Sequence, residues 1–302
     1  MPWQTRAMST LRRLAVGAAV TGAACVAYGA GYEVHSFRLR RIDIPALPAG
    51  QPPVTLLHIS DLHLTPGQRR KVEWVQRLAL LNPDAVVVTG DFLSHPEAVP
   101  TAMEALDPLF ARPGMFVFGS NDYFAPTLKN PARYLCPDRD RRLLGAPLPW
   151  RDLRDGLVSA GWYNLNNARV TVKVDGREWD VRGVNDPHIK TDRYDEVAGE
   201  FDAAADLALG VVHAPYRRVL NAMSGDGAGL ILAGHTHGGQ LAIPGFGALV
   251  TNCDLDRRKA KGVHRHDDSW VHVSAGLGTS RYAPIRFACP PEATLLTLRS
   301  AG

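Results

Sequence analysis

LILAGHTHGG, residues 230–239, is a four-residue apolar run followed by two histidines two positions apart among glycines. Side chains at i and i+2 of an extended segment share a face, so His235 and His237 can converge on one point. Imidazole is the commonest metal ligand, and two histidines flanked by glycine behind a strand have little packing purpose. Four other stretches follow the same plan. Val54–Ser60 (VTLLHIS) leads into Asp61-Leu62-His63, and Ala85–Thr89 (AVVVT) leads into Gly90-Asp91. Met115–Phe118 leads into Gly119-Ser120-Asn121-Asp122, and Leu207–Val212 leads into His213. Taken singly, each is a turn motif. Together they place polar groups at the carboxyl ends of several strands, where open α/β sheets bind ligands.

Between these strands lie amphipathic segments. Arg69–Leu81 carries Val72, Val75, Leu78 and Ala79 at helical spacing, and Glu97–Phe110 does the same with Ala98, Ala102, Leu106 and Leu109. The β-α-β-α-β order predicts parallel strands joined by right-handed crossovers. Trp150–Ala160 reads as a further helix. Val170–Val174 and Glu178–Arg182 alternate around Asp175-Gly176, a hairpin signature. More strands are expected at Gln240–Ile243, Trp270–Ser274 and Ala293–Leu298. A helical half followed by a strand-rich half predicts an α/β fold of two sheets packed face to face, with helices outside.

Mixed imidazole and carboxylate donors suit Mn²⁺, Fe or Zn²⁺ better than Ca²⁺. The donors outnumber the needs of one four-coordinate ion, so two divalent metals are expected, spaced to clamp a phosphoryl group. At this point the chain resembles the calcineurin-like metallophosphoesterases, motif by motif, over residues 54–298. The apolar leader followed by LLHISDLHL is most similar to their membrane-associated or exported bacterial branch. The resemblance implies a four-layer α/β/β/α sandwich of two mixed sheets. It implies that Asp61, His63 and His237 hold the first metal and that Asp91 bridges both. His213 and His235 would hold the second, with an asparagine from the third loop. The implied reaction is hydrolysis of a phosphoester, chiefly a phosphodiester, by in-line attack of a metal-bound hydroxide.

The third motif departs from the family's Gly-Asn-His-Asp. In strict register Ser120 replaces the metal-binding asparagine and Asn121 replaces the histidine that assists the leaving group. Alternatively Asn121 reaches the metal one residue late, with Asp122 orienting it, and that reading is preferred. Either way neutral asparagine cannot act as a general acid. His188, in Val184-Asn185-Asp186-Pro187-His188, is the candidate substitute. Two other functions stay open: a non-catalytic metal-binding scaffold on a degenerate phosphoesterase fold, and a phosphodiesterase of small nucleotides or nucleic acid. Loss of chemistry would leave a costly polar cluster without purpose, which argues against the scaffold.

The 302 residues are 45% hydrophobic and 21% charged, as in ordinary globular proteins, which excludes a disordered, fibrous or multi-span chain. The net charge of +4 lies entirely within residues 1–50, and the remainder is neutral. A nucleic-acid binder carries its excess on the folded domain, so long nucleic acid is not an expected partner. The excess instead flanks an uncharged run, Leu14–Tyr32, with Arg12 and Arg13 before it and Arg38, Arg40 and Arg41 after it. Residues 1–35 read as an uncleaved membrane anchor, in preference to a removed export signal. The flanking arginines balance, so orientation is open. Residues 36–53 read as a stiff proline-bounded linker and 54–302 as the metallophosphoesterase domain, with a surface insertion at about 124–150. The expected substrate is a phosphoester, lipid-linked or drawn from the envelope, and no protein partner is expected.

The four cysteines have no metal-binding spacing. Arg281 and Arg286 are expected at the surface, with phosphate contact as the alternative. Tyr123 and Phe124 are expected to pack in the core or wall the pocket, and Gly238 and Gly239 to let backbone approach phosphate. His264 and His266 are assigned no role.

Overall fold

The computed structural model describes residues 2–128 and 144–300; most of the expected insertion, with Cys136, lies outside them. The chain opens with helix α1 (Pro2–Gly31) and strand β1 (Arg38–Leu47). Strand β2 (Val54–Ile59), helix α2 (Arg69–Arg77), β3 (Ala85–Thr89), α3 (Val99–Leu106) and β4 (Gly114–Val117) follow. A single turn α4 (Ser120–Tyr123), helix α5 (Trp150–Ser159) and the short β5 (Tyr163–Asn164) complete the first half. The second half contains β6 (Ala168–Val174), β7 (Arg177–Gly183), β8 (Leu207–Val211), α6 (Arg217–Gly225) and β9 (Leu230–Ala233). It ends with the two-residue strands β10 (Ala242–Ile243) and β11 (Gly247–Ala248), then β12 (Gly262–His266), β13 (Ser269–Val273) and β14 (Glu292–Ser300).

Two mixed six-stranded sheets form, ordered β1-β14-β2-β3-β4-β5 and β12-β13-β9-β8-β7-β6. The alternation of side chains along β2 explains how they stack. Leu56 enters the core between the sheets with Val87, Met115, Trp179, Leu209 and Leu232. Leu57 and Ile59 face the other way, into a second core under α2, α3 and α5. Val219, Leu220 and Met223 of α6 cover the outer face of the second sheet. The result is the four-layer α/β/β/α sandwich. Strands with both faces covered read as continuous apolar runs, which is why AVVVT shows no alternation. The turn between β6 and β7 places Asp175 and Gly176 both at positive φ, as the hairpin reading expected.

The expected linker at 36–53 is corrected by the structure. Arg38–Leu47 is a ten-residue edge strand running parallel to β14, with a register shift between Pro45 and Leu47. Pro45 and the three arginines disguise it. An edge strand tolerates proline and outward charge because one side of its ladder is unpaired. Arg40 also pairs with the buried Glu292 of β14 at 3.1 Å. α1 ends against this body: Arg286 donates its backbone N–H to the Gly29 carbonyl at 3.3 Å. Glu33 is buried and accepts backbone N–H groups from Ala288 (3.0 Å) and Cys289 (2.7 Å). Arg12–His35, 24 residues, contains an 18-residue window of mean hydropathy 1.6, long and apolar enough to cross a bilayer.

Candidate metal centre

The parallel strands β2, β3 and β4 of one sheet and β8, β9 and β13 of the other deliver their carboxyl ends to a common rim. The turns leaving that rim are strained in a consistent way. Asp61, His63, Asp91, His235 and His237 all sit at positive φ, between 44° and 69°. For residues with a Cβ this costs on the order of 1–3 kcal/mol each and persists only where the surroundings enforce it. The glycines between them permit close approach. A Cβ on Gly119 would lie 2.2 Å from Asp91 Oδ1, and one on Gly234 would lie 1.9 Å from Ser60 Oγ.

Ligand atoms of Asp61, His63, Asp91 and His237 lie within 4.8 Å of one another. His63 Nε2 is 3.2 Å from His237 Nε2 and 3.4 Å from Asp91 Oδ2. His237 Nε2 is 3.6 Å from Asp61 Oδ1. On the far side of Asp91, His213 Nε2 lies 3.5 Å from Asp91 Oδ2 and 3.3 Å from His235 Nδ1. The metal-binding candidates Asp61, His63, Asp91, His213, His235 and His237 thus form one continuous group with Asp91 in the middle.

The opposite nitrogen of each ring is held from behind. His213 Nδ1 faces the Thr89 carbonyl (2.6 Å), His237 Nδ1 the Gly278 carbonyl (3.2 Å) and His235 Nε2 the Asn252 carbonyl (3.4 Å). His63 Nδ1 faces Ser94 Oγ at 3.0 Å. A carbonyl only accepts, so three of these rings carry their N–H outward. In His235 and His237, which are neutral, the inward nitrogen is then left as a lone pair, and in His213 it becomes one once a metal displaces its proton, the arrangement found behind metal-bound histidines.

Electrostatics agree with this. Burial holds His235 and His237 well below the ordinary histidine range and His63 at about 4, so all three are neutral at pH 7. Burial acts downward on His213 too, but the Asp91, Asp186 and Asp61 carboxylates overcome it and push that ring up to about 9. Burial raises Asp61 to about 6. Burial also acts upward on Asp91, yet His213, His63 and two hydrogen bonds from Asn121 hold it below the usual carboxylate range. Buried lone pairs beside carboxylates fit a divalent cation, so the residues present suit the metal implied by the resemblance.

Asn121 meets Asp91 twice. Its backbone N–H donates to Oδ1 (2.9 Å) and its side-chain amide to Oδ2 (2.7 Å). Asp122 points the other way and organises the loops. It accepts backbone N–H groups from Asp91 (2.8 Å), Phe92 (2.7 Å), Leu93 (3.2 Å) and Gly119 (2.9 Å). Burial and the Asp91 charge push its carboxyl up to about 8, against the pull of these donors. His188 arrives beside the second cluster, its ring centroid 4.5 Å from that of His235. Its Nδ1 lies 3.1 Å from Tyr216 Oη, and its backbone N–H donates to Asp186.

Other expectations resolve differently. Arg286 is neither at the surface nor free for phosphate. It is fully buried and donates to the carbonyls of Ala275, Gly276, Gly278 and Cys289, which fixes the loop behind His237. Arg281 does line a cleft of about 510 Å³ that opens beside His63, with Gln68, Lys71 and Ser94. Tyr123 packs on Trp150 and Phe118 and donates its hydroxyl to Asn185 Oδ1. His264 and His266 lie on β12, away from the cluster's hydrogen bonds. Gly238 is buried against Cys289 and Ala275, and Gly239 against Ala248, so both serve packing.

One network had no sequence counterpart. Thr89 donates to Ser60 Oγ (2.7 Å), and Ser60 donates to Asp61 Oδ2 (2.5 Å). Thr89 must then accept from His58 Nε2 (2.9 Å), whose Nδ1 faces His272 Nδ1 at 2.8 Å. His58 and His272 come from different sheets and are fully buried between them. The apolar runs LLHIS and VHVS each carried an inward histidine, but their pairing depends on how the sheets stack.

The sequence profile of the calcineurin-like phosphoesterases matches residues 54–239, more than half of the chain. The chain belongs to that family. It is a calcineurin-like phosphoesterase, a hydrolase of phosphoric esters with a cluster able to hold a divalent metal. The metallophosphoesterase YkuE of Bacillus subtilis is 24% identical over 95% of both chains. The phosphodiesterase YaeI of Escherichia coli is 26% identical over 72% of this chain and 70% of its own. A Danio rerio protein named as a transmembrane protein with a metallophosphoesterase domain is 26% identical, over 96% of this phosphoesterase and 63% of its own length.

Proposed function

We propose that the chain is a membrane-anchored phosphodiesterase with two divalent metal ions. The observation that carries this is the pairing of inward ring nitrogens: His63 with His237 at 3.2 Å, and His213 with His235 at 3.3 Å. His235 and His237 each offer an inward lone pair, and a cation that displaces the proton shared within a pair would be held by both of its nitrogens; two such pairs flank one carboxylate. In this reading Asp61, His63 and His237 hold the first ion, His213, His235 and the Asn121 carbonyl hold the second, and Asp91 touches both. The donor set suits Mn²⁺, Fe or Zn²⁺. Bound there, the ions would neutralise charge on the phosphoryl oxygens and lower the pKa of the attacking water.

The chain's own groups supply the rest. The 510 Å³ cleft beside His63 offers Lys71, Arg281 and Gln68 to the polar part of a substrate. His188 next to His235 is placed to hand a proton to the departing alkoxide, with Tyr216 fixing its ring through Nδ1. The name of YaeI favours a diester, and the helix α1 favours a lipid-linked or envelope substrate. The test is hydrolysis of bis-p-nitrophenyl phosphate by the full chain in detergent, with Mn²⁺ and after chelation. Metal-dependent turnover that disappears in Asp91→Asn is expected. Turnover of p-nitrophenyl phosphate alone would replace the diesterase with a monoesterase, and no turnover of either would favour a scaffold.

A further inference from the structure

The β10–β11 hairpin, residues 240–250, is built inside out. Ala242 pairs with Ala248 and Ile243 with Gly247, so the alternation is unambiguous. The small side chains Ala242 and Ala248 are buried against the domain, whereas Leu241, Ile243 and Leu249 face away from it. Phe246 at the tip is 58% exposed and Ile243 is 49% exposed. A hairpin that stands in water buries its large apolar residues and shows its small or polar ones. A contiguous exposed apolar patch marks an interaction surface.

The position of this hairpin identifies what covers it. Leu241 bridges to Phe287, with Phe287 donating its N–H to Gln240 (3.1 Å) and Ala242 donating to Phe287 (2.9 Å). Phe287 in turn meets Tyr28 of α1 edge to face, ring centroids 6.1 Å apart. Gly29 lets the helix approach this segment, since a Cβ there would lie 2.5 Å from the Arg286 carbonyl. The hairpin is therefore one strand away from the end of the anchor. Tyr28 and Tyr32 at that end are exposed, as is Tyr282 on the neighbouring loop. Aromatic residues of this kind gather at the membrane–water boundary. Behind the tip, Arg257 stacks on Phe246 at 5.4 Å, beside Arg258, Lys259 and Lys261. Asp254 and Asp256 offset two of these four positive charges, leaving the segment net basic.

We infer that the 240–250 hairpin dips its apolar tip into the bilayer that holds α1, while the basic residues behind it meet anionic head groups. Apolar tips with basic flanks bind membranes in this way. The inference rests on the reading of α1 as a membrane anchor. It deepens the proposed function because the hairpin follows directly on the site: Gly239, two residues beyond His237, packs on Ala248. Two contacts, α1 and the hairpin, would hold the metal centre at the head-group level. The preferred substrate is then a phosphoester carried by a lipid and lying in that layer.

The test places Phe246→Trp, and separately Ile243→Trp, in the full chain reconstituted into nanodiscs of zwitterionic and anionic phospholipid. Leu80→Trp, at a highly exposed position on another part of the surface, is the control. The emission added by each introduced tryptophan is read as the difference from the parent chain. Lipids brominated near the head-group end of their acyl chains should quench that emission about twofold in the two hairpin variants and leave the control unchanged. Hairpin emission that behaves like the control and is quenched by aqueous iodide, from a chain that stays with the discs, overturns the hairpin and spares the anchor. Emission shielded from iodide but insensitive to brominated lipid assigns the patch to a protein, a second copy included, and also overturns it. A chain that does not partition into discs overturns anchor and hairpin together.

Discussion

Replacing Asp122 by asparagine tests how the loops around the metal centre are held. The carboxylate accepts four backbone N–H groups, Asp91 and Gly119 at one oxygen and Phe92 and Leu93 at the other. An asparagine keeps one accepting oxygen. Its amide nitrogen, placed where the second oxygen stood, would turn a donor toward two donors. Each buried N–H deprived of an acceptor costs about 1–3 kcal/mol, so Asp122→Asn should destabilise the fold by about 3 kcal/mol or somewhat more. For a domain of this size that lowers Tm by roughly 6–12 °C. The assay is thermal unfolding of the chelated full chain in detergent, so that bound metal does not mask the loss. Asp122→Ala, which removes all four acceptors, should melt no higher than Asp122→Asn. A change within about 1 kcal/mol for asparagine would show the four-donor picture to be wrong. It would mean that the carboxyl, pushed up to about 8, already holds a proton and does not bind all four donors.

Three further outcomes are expected. His213 is raised to about 9 in the metal-free protein, above an unfolded value near 6.5, so its contribution is full below pH 6.5 and fades as pH rises through 9. Relative to His213→Gln, the chelated chain should lose stability over that window, and metal titration at pH 7.5 should release a proton to buffer. Gly119→Ala places a Cβ 2.2 Å from Asp91 Oδ1. Metal content by mass spectrometry should fall severalfold in that variant, with far-UV circular dichroism retained. Glu33→Gln removes one acceptor from the pair serving Ala288 and Cys289, and costs about 1–3 kcal/mol locally. Amide exchange at those two residues should speed up about fivefold or more, while exchange in β3 stays unchanged.

The legible parts of this protein were those where one local pattern fixes the outcome. AVVVT and LILA are apolar on both faces, so each could only be a strand buried in a layered fold. The i, i+2 placement of Asp61 with His63 and of His235 with His237 announced convergent side chains. What stayed hidden depended on distant partners. β1 looked like a linker because Pro45 and its arginines obscure the alternation, and only pairing with β14 at the other end of the chain makes it a strand. Arg286 read as a surface residue because nothing local signals a cage of carbonyls. The His58–His272 contact needs both sheets in place, and α6 carries little local signal because Arg217–Gly225 begins with two arginines and no capping side chain. The positive φ at five site residues was equally invisible, since aspartate and histidine carry no mark of backbone strain.

Everything proposed for catalysis depends on two divalent ions sharing Asp91 at the carboxyl ends of both sheets. The direct measurement is metal stoichiometry of the full chain after loading with Mn²⁺ and removal of excess, by plasma mass spectrometry, with His235→Ala and His237→Ala alongside. Two ions per chain are expected, and close to one in each variant. One ion or none in the parent chain, or an unchanged count in both variants, would overturn the shared-Asp91 centre.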